Sequence, residues 1–419
     1  MQQHLLVLES NTTGTGLLLL EKARDLGYAP FFLTNNPRRY RGLESIDCPV
    51  VTGDTNSIVG IQEAIARYLP QRNIRGITTT SEFYLEMVAQ LAAIYNLPGN
   101  SPEAVAICRN KARTREVLAA AQIHQPRFAI VRTEDDLDTA LRHITLPFIV
   151  KPADDTGSNQ VVLCHTAQQA RQHTHCILGQ NTNVRGQHTL CTVLIEEYLD
   201  GPEFSVEMFT WRGETICIGI TRKGVTGKPY FVEHQHIFPA TLAPHIASSM
   251  QESVRLALEA VGITSGPTHT EVKLTPDGQT AIIEINARLA GGMIPELIRH
   301  TTELDLLEEQ LHVAVGEVPH LALQYHNYAG IQFLLAPAPG IFKGVRASET
   351  IREPRSGICE IATTMPIGSR VSLPRSAYDR LGYIICTAPT YEEVEQRLHN
   401  MLAHVEIVVA PPEEENSHD

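Results

Sequence analysis

The sequence predicts an α/β protein that opens with a doubly wound parallel sheet and continues into α+β subdomains. Short apolar runs alternate with amphipathic helical stretches through residues 1–100, the pattern of strands covered by helices on both faces. Beyond residue 190 this alternation gives way to strand pairs joined by turn residues. The length, 419 residues, exceeds what one core ordinarily serves, so two or three packed subdomains are expected.

Residues 4–8 read as a buried strand, 11–16 as a small-residue turn, and 17–26 as a helix stopped by Gly27. A strand at 30–33, a helix at 58–68, a strand at 76–79 and a helix at 84–95 continue the pattern. The turn contains Gly14 and Gly16 but lacks the third glycine of a dinucleotide fingerprint, so it is weak evidence for a nucleotide. Residues 102–121 read as one helix carrying Arg109, Lys111, Arg113 and Arg115, and 148–151 as a strand. The stretch 192–211 alternates about a turn at Asp200-Gly201-Pro202, and a long amphipathic helix spans 244–261. The tail 411–419, acidic and proline-initiated, is expected to be disordered.

Composition narrows the function. With 34 Lys+Arg against 47 Asp+Glu, the formal charge of -13 excludes a broad nucleic-acid footprint and requires any anion site to be built locally. Eight scattered cysteines lack metal-ligand spacing and read as reduced, buried thiols. No basic leader and no segment of membrane-spanning length is seen, so a cytoplasmic enzyme without membrane contact is expected.

The most informative stretch is 268–292. Taking Asp277-Gly278 as a two-residue hairpin turn, residues that face each other have numbers with a constant sum, which pairs Glu271 with Glu284 and His269 with Asn286 on one face. Val272, Leu274, Ile283 and Ile285 then pack on a core. Opposed carboxylates repel, so a positive group should lie between them, and an oxygen donor set on a rigid sheet suits Mg²⁺, with Mn²⁺ as the other ion. The plain alternative is a solvated hairpin. Arg288 stays on the same face and is placed to neutralise phosphoryl oxygens or a tetrahedral intermediate; otherwise it pairs with Glu284 or Glu271. Gly291 and Gly292 let backbone approach a ligand closely.

Lys151 ends an apolar strand and precedes a polar loop that includes Gly157 and Ser158, whose hydroxyl and N–H groups can cover a phosphate. Otherwise that lysine snorkels to solvent. Glu196, Tyr198 and Leu199 lead into the turn, where backbone groups can read an adenine edge, and Glu203 follows. By themselves these residues make a hairpin with surface acids.

In their order, a lysine, a Val-Lys-Pro strand with a small-residue loop, a Glu-Glu-Tyr-Leu hinge with a trailing glutamate, and paired glutamates ending in Glu-Ile-Asn-Ala-Arg resemble the ATP-grasp superfamily over nearly the whole chain. Within it the chain resembles the L-amino-acid ligases. The resemblance implies an ATP-grasp fold, with a Rossmann-like domain over 1–100, a small ATP-grasp subdomain with linker helices over 101–190, the core with the Mg/ATP site over 191–330, and a lid-like extension over 331–410. It also implies residue roles. Lys111 and Lys151 contact ATP phosphates, Glu196 and Leu199 hold adenine, and Glu203 holds ribose. Glu271, Glu284 and Asn286 hold the metal. Arg288 stabilises the transferring phosphoryl group, Glu233 and His236 join the amino-acid pocket, and His269, Arg288, Gly291 and Gly292 are further substrate-contacting candidates. The implied reaction joins a carboxylate to an amine through an acyl phosphate, and the implied assembly is a homodimer. Two alternatives stand beside it: activation of bicarbonate as carboxyphosphate, and a nucleotide-binding module without catalysis. The phosphate loop departs from the family in being poor in glycine.

Overall fold

The computed structural model describes residues 4–12, 15–69, 74–226, 228–348 and 357–411. Gly14 of the expected turn and residues 412–419 of the expected tail lie outside these.

The strands His4–Leu8, Ala29–Thr34, Val50–Thr52 and Ile74–Thr78 form a parallel sheet in the order third, second, first, fourth. Side chains alternate between two covered faces. Leu5, Val7 and Phe32 pack with Leu19, Leu20, Leu306 and Leu307, whereas Leu6, Leu8, Phe31 and Leu33 pack with Ile61, Ile65 and Leu91. The strand Val50–Thr52 was not legible in advance, because only Val51 of its three residues is buried and no period shows.

The single helix expected over 102–121 is two. Pro102–Arg109 and Lys111–Ala120 are separated by Asn110, whose backbone is extended (φ -105°, ψ 98°) and whose side chain accepts from Ala112 N and Arg113 N. An asparagine that caps a helix gains those bonds only by leaving helical geometry itself. The break puts Lys111 in the first turn, where its N–H donates to Ala153 O at 2.8 Å.

Two antiparallel sheets follow. The smaller has four strands, Phe128–Val131, Val193–Glu197, Phe148–Pro152 and Val162–Cys164 in spatial order. The larger has eight: Thr280–Asn286, Ser265–Leu274, Glu203–Trp211, Glu214–Val225, Glu233–Phe238, Tyr328–Leu335, Arg380–Ala388 and Ile358–Thr363. The helix Pro244–Val261 covers it with Met250, Val254 and Leu258 against Val206 and Ile282. Residues 198–202 are thus not a hairpin turn, as their strand pattern suggested, but the crossing from one sheet to the other. One expected boundary shifts with this: Val193–Glu197, placed with the core, belongs to the small sheet. The strands after 330 extend the large sheet and add a three-stranded sheet of their own.

Among the described residues no helix is long and apolar enough to cross a membrane. All eight cysteines are unpaired, but Cys176 and Cys359 are exposed rather than buried, because cysteine spacing carries no signal of burial.

Candidate active site

The hairpin presents its acids by a different route from the one the register arithmetic assumed. Leu274 pairs with Thr280, so the loop is the three residues Pro276, Asp277 and Gly278, with the Gly278 N–H donating to Thr275 O at 2.9 Å. Gly278 has φ 81°, a left-handed conformation that a side chain resists. This longer loop shifts the pairing by one, and a bulge between Glu271 and Val272 shifts it back, so that His269 faces Asn286 and Glu271 faces Glu284. The residue left over is Ile283, which lines the cleft instead of the core.

The two acids have separate cations. Glu271 Oε1 lies 2.7 Å from Lys223 Nζ and 3.5 Å from His269 Nε2, and Glu284 Oε1 lies 3.1 Å from Lys111 Nζ. Burial would raise the Glu271 carboxyl, but Lys223 and His269 hold it at about 2. His269, expected to meet a substrate, is buried with Nδ1 3.0 Å from Glu207 Oε2. Burial alone would lower its pKa; Glu207 and Glu271 outweigh that and raise it to about 9, so it is an imidazolium bracing Glu271. The donor set fits a hard divalent cation: two carboxylates and an amide share one face, and Glu284 Oε2 has no ion-pair partner among the described residues. The orientation of Asn286 that suits its surroundings points the amide nitrogen at Glu82 and Glu284, at 3.2 Å from Glu284 Oε1. Holding a cation would require the oxygen to turn inward.

At the other end Lys151 is 4 % exposed, which excludes snorkelling to solvent. Its Nζ lies 2.7 Å from Glu196 Oε2, and Arg115 Nε lies 2.7 Å from Glu196 Oε1. Burial pushes the Glu196 carboxyl up, but Arg115 and Lys151 prevail and hold it at about 2. For Lys151 burial wins instead and lowers its pKa, because one carboxylate is shared by two cations. The surplus positive charge is what an anion would relieve. Tyr198 stacks on Phe231 at 6.2 Å, and Leu199 O accepts from Lys273 Nζ at 3.1 Å, making a flat slot beside Ile149 and Ile283. Glu203 Oε1 is 3.3 Å from Lys223 Nζ, and burial pushes its carboxyl up.

The polar loop closes without extra glycine because Ser158 itself takes a left-handed φ of 57°. The loop is held on three sides. Lys111 Nζ donates to Asp155 O at 2.6 Å, Thr156 Oγ1 to Glu82 Oε2 at 2.7 Å, and Ala377 N to Gly157 O at 3.1 Å.

Arg288 pairs with neither hairpin acid. It donates to Glu82, with Nε 3.2 Å from Oε2, and Glu82 also pairs with Arg109. Burial would raise the Glu82 carboxyl; Arg288, Arg109 and Lys111 hold it far below the usual range. Glu233 is bound to Lys223 and to Arg380 at 2.8 Å, and His236 Nε2 lies 3.5 Å from it. Gly292 combines φ 60° with a Cβ position 2.9 Å from His236 Nε2, so a side chain there would displace the histidine, whereas Gly291 faces open space.

Every candidate residue named from the sequence lines this one cleft. Sequence reasoning missed Lys223, which ties together Glu203, Glu233 and Glu271, because a lysine in an alternating strand looks solvated. It also missed Glu82, for which a signal existed: ligand groups gather at the carboxyl ends of parallel strands, and Glu82 follows Ile74–Thr78 closely.

Glu196 carries a testable consequence for stability. Its carboxyl ionises in the folded state at about 2 rather than the ordinary 4.5, so its contribution is present above pH 4.5 and is lost as pH falls toward 2. Urea unfolding midpoints should fall between pH 5 and pH 3 in the native chain and fall less in Glu196→Gln; equal declines would remove Glu196 as a cause.

Residues 144–296 match an ATP-grasp domain, and residues 332–410 match L-amino acid ligase C-terminal domain 2. The uncharacterized protein y4rH of Sinorhizobium fredii is 29 % identical over 97 % of this chain and 83 % of its own length. The alanine–anticapsin ligase of Bacillus subtilis is 27 % identical over 60 % of this chain, which spans only 56 % of that protein. The crystal structure of an L-amino acid ligase from Bacillus licheniformis shares the fold over 98 % of this chain and 99 % of its own, with a TM-score of 0.83 at 22 % identity. The chain therefore carries an ATP-grasp domain over residues 144–296, followed by an L-amino acid ligase C-terminal domain over residues 332–410.

Proposed function

We propose that the chain activates the carboxylate of an amino acid, or a related acid, with ATP as an acyl phosphate and passes the acyl group to the amine of a second amino acid. The observation that carries this reading is the convergence of Glu271, Glu284, Arg288, Lys111 and Lys151 on one cleft lined by the small and large antiparallel sheets and by segments that follow strands of the parallel sheet. Glu271, Glu284 and Asn286 would hold Mg²⁺, or Mn²⁺, which supplies charge neutralisation at phosphate oxygens when bound. Lys151 and Lys111 bind phosphate charge, and the loop through Ser158 excludes water from a product that water would otherwise hydrolyse. Tyr198, Leu199 and Glu196 form the adenine slot, and Glu203 lies where a ribose hydroxyl donates to it. Arg288 aims positive charge at oxygens that become more negative during transfer, the one place where such charge lowers a barrier rather than merely tightening binding. The protein supplies no covalent nucleophile. A cytoplasmic homodimer completes the reading, with sedimentation as its check.

The test is a phosphate-release screen over pairs of amino acids with product mass measured. Amide product formed without bicarbonate is the expected result; phosphate release that requires added bicarbonate, with no amide, would overturn the reading.

Glu233 and His236 separate substrate from nucleotide. Glu233→Ala and His236→Ala should each raise the KM of an amino acid by about tenfold while the KM of ATP stays nearly constant, since they lie on the Arg380 side of the cleft. An equal rise in both constants would remove these residues from the amino-acid pocket.

A further inference from the structure

Arg185 is a buried cation that the reaction above leaves unused. It is 8 % exposed and lines the cleft where the N-terminal sheet edge meets the small sheet's loops. The other guanidiniums lining the cleft have carboxylate partners, Arg288 on Glu82 and Arg380 on Glu233. Among the described residues Arg185 has none. Its Nη2 donates to Ser10 O at 3.0 Å and its Nη1 to the Tyr40 hydroxyl at 3.3 Å, and its guanidinium sits 5.8 Å from the Phe83 ring centroid. Glu9, which shares the Tyr40 hydroxyl with it, accepts from Thr34, Asn35, Thr55 and Tyr40 and pairs with Arg39 at 3.5 Å. Leaving a buried charge without an opposite one is costly, and a ligand anion is the usual remedy.

The loop that carries Arg185 is built to hold it there. Asn183 N donates to Gln187 O at 2.9 Å across a tight turn, Asn56 Nδ2 donates to Arg185 O at 3.1 Å, and Gln187 Nε2 donates to Phe83 O at 3.1 Å. Phe83 directly follows Glu82, the partner of Arg288, so the ring under this cation is the chain neighbour of the residue that holds Arg288. Asn11, the residue after Ser10, lines the same cleft, and its buried side-chain oxygen has no hydrogen-bond donor. A cation and a free acceptor in one cleft are complementary to the carboxylate and the ammonium of an α-amino acid.

Two carboxylates take part when amino acids are joined. One is activated and must lie at Arg288; the other survives in the product and must be held elsewhere. Resting on the ligase reading, we propose that Arg185 anchors the surviving free carboxylate, that of the amine-donating amino acid, and so sets a requirement for a free acid rather than an amide at that position.

The experiment compares binding of each common amino acid and its C-terminal amide, by calorimetry with MgADP present, to the native chain, Arg185→Met and Arg185→Lys. At least one acid should bind the native chain about tenfold more tightly than its amide, Arg185→Met should bring the two within about twofold, and Arg185→Lys should restore part of the gap. ADP affinity should be the same in all three, which certifies their folding. If Arg185→Met does not fold, Asn11→Asp adds a competing carboxylate to the cleft at the residue after Ser10, the acceptor of the guanidinium, and should weaken the acid more than the amide. Equal binding of acid and amide to the native chain, or a gap that survives Arg185→Met, overturns the proposal. Failure of the ligase reading looks different: the acid is still preferred in an Arg185-dependent way, but no amide product forms with MgATP and any partner.

Discussion

Glu284→Gln is expected to lower kcat by at least about a hundredfold while leaving the fold and the unfolding midpoint nearly unchanged. The substitution keeps the shape of the side chain and removes the charge. Glu284 is the less entrenched of the two hairpin acids: its side chain is 18 % exposed, its ion-pair partner among the described residues is Lys111 alone, and Lys111 keeps its bond to Asp155 O when the charge is lost. Glu271 differs, since Lys223 and His269 both depend on it. Glu271→Gln should therefore cost stability as well as activity. Steady-state kinetics with circular dichroism and calorimetric melting separates the two variants, and unchanged turnover in Glu284→Gln would sink the metal assignment.

The second large effect is expected at Glu82. This buried carboxylate serves Arg288, Arg109 and Thr156 at once, joining the N-terminal sheet edge to the hairpin and the polar loop. Glu82→Gln leaves the buried Arg109 and the half-buried Arg288 without a countercharge, so unfolding in urea should show a loss of about 3 kcal/mol or more. Activity should fall further than in proportion to the folded fraction, because Arg288 is then free to leave its aim. A stable variant with native kcat would show that Glu82 neither supports the junction nor positions Arg288.

The hairpin shows why the site was legible and where reading stopped. Side chains alternate along strands, so the opposed placement of Glu271 and Glu284 followed from residue numbers, even though the turn was one residue longer than assumed and a bulge at Ile283 restored the register. Bulges respond to neighbours across the sheet, and local sequence does not announce them. The hinge teaches the same lesson. Residues 198–202 look like a hairpin turn, and only the packing of two sheets shows that the flanking strands never pair with each other.

What the sequence determined by itself is the alternation of strands and helices in the first domain, the chemical kinds of residue in the site, and their order along the chain, because periodicity and motif are local properties. The tertiary structure alone decided that Lys223 would gather three carboxylates, that Glu82 would hold Arg288, and that Arg185 would be buried without an acid. Charge pairing depends on distances between segments far apart in the chain, and burial depends on which surfaces cover one another. Neither is encoded in any window short enough to read.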